Sequence, residues 1–209
     1  RHTTRLTHHL ATRLLALRHA NGAQVCFLAG AAHNTYCAGA SASDVSDARL
    51  EEYRRVQGPV VAFNVKRSDG AWVGPSTVGT LASLCGIQLR TGCACNPRAC
   101  QRFLGLDDAA VLRNAEAGRV CWADDLDIVD GVPTGAVRAS VGYYTRFEDV
   151  ERLVAFIEEQ FVDHHAPDDA FPAAPRQALP EGVRRAAESA SKTPLSVAAL
   201  FVYPIKSCS

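Results

Sequence analysis

The chain has 209 residues, with 22 basic against 22 acidic side chains, and 47% of it is hydrophobic. Balanced charge removes the basic footprint that nucleic acid or an anionic membrane surface calls for, and no apolar run approaches the roughly 18 residues that cross a bilayer. Taking about 150 residues as a soft prior for a domain, the length suggests one domain and a remainder.

The opening Arg1-His2-Thr3-Thr4 lacks the layout of a secretion signal, so the expected compartment is cytoplasmic. Methionine is absent, which reads as a fragment of a longer protein. The eight cysteines are too sparse for a disulfide scaffold, so reduced thiols are expected.

In chain order, Leu6, Leu10, Leu14, Leu15 and Leu17 recur at helical spacing, and Asn21-Gly22 is the expected end of that helix. Gln24 to Leu28 reads as a short buried strand. Residues 29–48, rich in Gly, Ala, Ser and Asn, read as a loop. A second strand runs from Val60 to Val65, Ser68-Asp69-Gly70 turns the chain, and a helix from Ser76 or Thr77 to Cys85 stops at Gly86. Extended chain resumes over Ile87 to Arg90.

Gly135 to Gly142 alternates as a strand does. Thr145-x-x-Glu148 is a capping-box signature for a helix whose stripe is Val150, Leu153, Val154, Phe156, Ile157 and Phe161. This order predicts an α+β sandwich, helices packed on a mostly antiparallel sheet. Pro167, Pro172, Pro175 and Pro180 mark a linker over 163–193. Beyond it, Leu195 to Ile205 is a β-prone run with no following strand, as if a second domain were cut off.

Chemistry concentrates in Leu89-Arg-Thr-Gly-Cys-Ala-Cys-Asn-Pro-Arg-Ala-Cys100. Asn96-Pro97 predicts the start of a short helix through Leu104, placing Cys95 just before a helix N-terminus. The partial positive charge there, with Arg90 and Arg98 nearby, favours thiolate over the ordinary thiol that titrates near 8.5. The competing reading is small, buried, inert thiols. Zinc is disfavoured, because Cys-x-Cys-x4-Cys offers only three ligands and no histidine lies near. A disulfide from Cys93 or Cys95 to Cys100 is also disfavoured, since the loop would have to fold back until the Cα atoms lie within about 7 Å.

Arg138 stands inside an apolar strand and needs an anion, either a carboxylate of this chain or that of a substrate. The seven histidines, at 2, 8, 9, 19, 33, 164 and 165, read as surface residues.

The run Gly86-Ile-Gln-Leu-Arg-Thr-Gly-Cys-Ala-Cys-Asn-Pro-Arg-Ala-Cys100 resembles the persulfide-cysteine loop of eukaryotic molybdenum cofactor sulfurases. The resemblance continues through Asn114–Trp122, Gly131–Ser140 and Phe147–Val150, and is strong from Gly58 to Phe161. It implies that residues 1–162 are the small C-terminal lobe of a class V aminotransferase fold (fold type I) like that of cysteine desulfurases. It implies further that 163–193 is a linker and that 194–209 begins the β-barrel preceding a MOSC domain.

The resemblance also implies pyridoxal phosphate, L-cysteine as sulfur donor, L-alanine as product and the molybdenum cofactor as acceptor. Molybdenum hydroxylases such as xanthine dehydrogenase and aldehyde oxidase are then the downstream partners, and a homodimer is an implied assembly. Cys95 aligns with the persulfide-forming cysteine, Arg138 with the arginine that grips the cysteine carboxylate, Arg90 with another active-site arginine, and Cys93 and Cys100 with accompanying thiols. Arg98 departs from the family, which has a small residue there, commonly glycine. None of Lys66, Lys192 and Lys206 stands in a setting resembling the family's Schiff-base lysine, so no cofactor is expected to be held by this chain alone; the cysteine spacing given above leaves no metal expected either. A thiol-bearing sulfur carrier or interaction domain without its own pyridoxal chemistry is the alternative, and a non-catalytic remnant is a third.

Overall fold

The computed structural model describes residues 1–40, 45–93, 97–119 and 126–164. Contacts group Arg1–Asp169 as one compact unit and Ala170–Ser209 as another, and the described residues all fall in the first. The predicted strand over Leu195 to Ile205, and the linker apart from Asp163 and His164, lie outside them.

Described elements run α1 (His2–Ala16), β1 (Cys26–Leu28), α2 (Ala31–Cys37), α3 (Asp47–Val56), β2 (Val60–Lys66), β3 (Trp72–Val73) and α4 (Pro75–Leu84). They continue as β4 (Arg90–Gly92), α5 (Pro97–Leu104), α6 (Asp108–Glu116), β5 (Ile128–Val129), β6 (Val132–Pro133), β7 (Ala136–Ser140) and α7 (Phe147–Phe161). The main sheet is ordered β1-β2-β7-β4, β3 also pairing with β2, and β5 and β6 form a separate hairpin. Every pairing is antiparallel, as the α+β reading predicts.

Strand periodicity divides this sheet into two unlike faces. Cys26, Leu28, Val61, Phe63, Val65, Val73, Val137 and Ala139 merge with the buried stripes of α1, α4 and α7 in one core. Each fully buried side chain such as Phe63 or Leu10 contributes about 1.5–3 kcal/mol over its exposed state. The alternate positions, Phe27, Ala62, Asn64, Lys66, Trp72 and Arg138 among them, belong to the other face.

Three local expectations differ from the structure. Helix α1 ends at Ala16, and Leu17 is already extended. Asn21-Gly22 instead sits in a tight reversal, with Gly22 at φ 80° and His19 N–H donating to Ala23 O, which lets Arg18 bridge Gln24. Within residues 29–48, read as loop, α2 forms and α3 begins. Helix α2 buries His33 and Cys37, four apart, a stripe too short and too polar to register as periodicity. The start of α7 is shifted by one residue: Arg146 is the N-cap, and its N–H donates to Asp149 rather than Thr145 pairing with Glu148. The Thr145 hydroxyl instead accepts from Gly142 N–H.

Candidate functional site

The short strand β4 carries Arg90 into the sheet directly opposite Arg138 of β7. Directly paired residues share a face, and like charges so placed repel each other. The pair is held close because Gly92 and Gly135 leave no side chains between the strand ends: a Cβ at Gly135 would lie 2.7 Å from Gly92 Cα. Among the described residues, no ion pair involves Arg90 or Arg138. Arg90 is exposed, whereas Arg138 is half-buried and its Nε–H is buried with no acceptor. Of the two anions the sequence left open for Arg138, a carboxylate of this chain is therefore not found among the described residues.

Two residues beyond Arg90 the strand ends, and at Pro97 helix α5 begins, as the Asn96-Pro97 pair predicts. The candidate nucleophile Cys95, with Ala94 and Asn96, lies outside the described residues. Its flanks are described, and they correct the expectation of reduced thiols. Cys93 and Cys100 form a disulfide with their Cα atoms 5.3 Å apart. The first turn of α5 brings Cys100 to the end of β4, inside the distance the sequence reading set as the condition. Both sulfurs rest against the Thr134 carbonyl, at 3.2 and 3.9 Å. Arg98, the departure from the family pattern, is exposed on α5.

Cys26 and Cys37 are buried and fit the inert reading, whereas Cys85 is exposed. Burial pushes the Cys26 thiol up to about 12 and that of Cys37 up to about 11, so neither supplies thiolate near neutrality.

The histidines are not uniformly superficial. His8, His19 and His33 are buried, each using a ring nitrogen on a protein partner: the Tyr36 carbonyl, the Lys66 carbonyl and the Tyr53 hydroxyl respectively. Burial, then the charge of His8, lowers His33 to about 4, which keeps it neutral at pH 7.

Sequence reading missed Asn64, which is 6% exposed and whose Oδ1 has no hydrogen-bond partner. Its signal was available: a lone amide in the apolar run Val60 to Val65. It also missed the engagement of Lys66, whose Nζ lies 5.0 Å from the Phe27 ring centroid and 4.4 Å from that of Trp72. A groove of about 360 Å³ beside α7 is lined by Ile87, Leu89, Val141, Val150 and Leu153, with neither Arg90 nor Arg138 in it. Its charged members are occupied: Asp149 accepts from Arg146 N–H and Arg152 donates to Cys85 O.

No protein-family model matches the chain, and no solved structure does. Curated relatives match it along its length. The molybdenum cofactor sulfurase of Solanum lycopersicum is 45% identical over 100% of this chain, that of Arabidopsis thaliana 41% over 99%, and that of Anopheles gambiae 41% over 100%. This chain spans only 22–23% of those proteins' own lengths.

Proposed function

The chain is homologous along its whole length to one segment of the eukaryotic molybdenum cofactor sulfurases, and on that premise we propose that it is their sulfur-accepting lobe. Within the longer protein, L-cysteine gives its sulfur to Cys95, leaving a persulfide on the protein and releasing L-alanine. Atoms balance, since one thiol gains one sulfur and cysteine becomes alanine. The persulfide's outer sulfur then passes to the molybdenum cofactor as sulfide: a thiol reductant supplies the two electrons, the S–S bond breaks to restore the Cys95 thiol, and the displaced oxygen ligand leaves as water; molybdenum hydroxylases use the product.

The observation that carries this reading is the opposed pair Arg90 and Arg138, without a carboxylate among the described residues. A guanidinium fork matches a carboxylate in geometry and charge. A bound α-carboxylate would relieve the repulsion between the two and hold the substrate at the foot of the loop that contains Cys95. In the sequence Cys95 falls between β4, which bears Arg90, and Pro97 at the start of α5; a helix N-terminus and a neighbouring arginine are what favour thiolate over thiol.

Pyridoxal phosphate supplies the electron withdrawal that weakens the substrate's C–S bond in such chemistry. The described residues do not fit as its site: Lys66, their one lysine, is engaged over Phe27 and Trp72. The cofactor would be held by other parts of the longer protein.

In the full-length enzyme, Cys95→Ala is expected to abolish transfer of ³⁵S from L-cysteine to protein and to the molybdenum cofactor. Peptide mass mapping of the parental enzyme after L-cysteine should place one added sulfur, about 32 Da, on Cys95. Label retained in the variant, or mapped to Cys93 or Cys100, would displace the assignment.

A further inference from the structure

On the sheet face that carries Arg138, two buried polar atoms lack partners, and they are complementary. Asn64 Oδ1 is an acceptor without a donor, and Arg138 Nε–H is a donor without an acceptor. Natural proteins leave few such atoms unpaired. The ladder explains why these two belong together: Arg138 pairs with Ala62, so Asn64, two residues further along β2, is its diagonal neighbour on the same face. Diagonal neighbours lie roughly 7–8 Å apart, within reach of a long side chain. Ala62, directly opposite, is too small to obstruct a guanidinium leaning toward the amide. Phe27 stands opposite Asn64 on the far strand and offers no hydrogen bond to the amide oxygen.

We propose that Asn64 is a positioning residue for Arg138, its Oδ1 accepting the Nε–H when a carboxylate binds. The inference rests on the carboxylate-gripping role of Arg138. Holding Nε fixes the guanidinium plane and leaves both terminal nitrogens free for a bidentate grip on the ligand. Arg138 would then be locked from behind, as a functional group is by the shell supporting it. Asn64 itself touches no reacting atom.

The test is a double-mutant cycle in the full-length enzyme, with L-cysteine as the varied substrate and L-alanine release as the readout. Asn64→Ala is expected to raise KM about tenfold, the size of one hydrogen bond to a charged group, with kcat within about twofold. In an Arg138→Ala background the same change should add nothing, because the partner is gone. Asn64→Asp, which keeps the acceptor oxygen, should restore KM to within about threefold of the parent, while the similarly sized Asn64→Leu should not. This pair decides the matter if the alanine variant fails to fold. An unchanged KM in Asn64→Ala, or an undiminished effect in the Arg138→Ala background, would overturn the positioning role. Parental KM in Arg138→Ala alone would instead overturn the carboxylate reading beneath it.

Discussion

At the scale of single residues, placement sets the chemistry of otherwise similar groups. His33 and Tyr53 share a buried hydrogen bond of 2.8 Å, and burial holds His33 down to about 4. A histidine lowered on folding binds fewer protons native than unfolded between about pH 6.5 and its folded value, so this stability is complete above that window and drains away on acidification. The slope is on the order of 1 kcal/mol per pH unit for one such group. Urea midpoints should therefore fall from pH 7 to pH 5, and fall less in His33→Phe; equal falls in parent and variant would assign the acid sensitivity elsewhere. His8, lowered chiefly by burial, adds in the same direction.

At the scale of elements, the junction of β4 and β7 determines whether the two arginines meet. Gly135→Ala would drive a methyl group into the Gly92 backbone, at a cost of about 1–3 kcal/mol typical of overpacking. The variant should melt earlier and show a raised KM for L-cysteine, since wedging the strands apart separates Arg90 from Arg138. A lower melting temperature with parental KM would show that the pair tolerates the displacement. Most elements here were legible beforehand: α7 from its apolar period, β2 from its apolar run, α4 from its stop at Gly86, α5 from Asn96-Pro97. What escaped was set by tertiary partners. The buried stripe of α2 is a histidine and a cysteine, polar residues made tolerable by Tyr53 and its neighbours. The Cys93–Cys100 bond depends on where α5 turns, which spacing alone does not give. Arg138 was legible as a charge in need of an anion, but that Arg90 stands opposite it is a property of register.

At the scale of the molecule, the first and last described helices close the helical layer on each other. Glu151 of α7 takes both His9 and Arg13 of α1, each at 2.5 Å. Because these groups are partly exposed, Glu151→Gln should cost no more than about 1 kcal/mol, seen as a small fall in the urea midpoint that added salt diminishes in the parent; a large loss would mean that the cluster carries packing as well as charge. The core and the proposed carboxylate grip lie on opposite faces of one sheet, and β7 contributes to both, with Val137 and Ala139 turned to the core and Arg138 to the other face. Inserting or deleting one residue in β7 would therefore not shift the site sideways but turn the strand over. A guanidinium would be driven into the core that holds Phe63, Val78 and Ile157, and two apolar side chains would replace it on the face of the proposed grip. A frame of five residues cannot drift by small steps: its variation is confined to substitution in place.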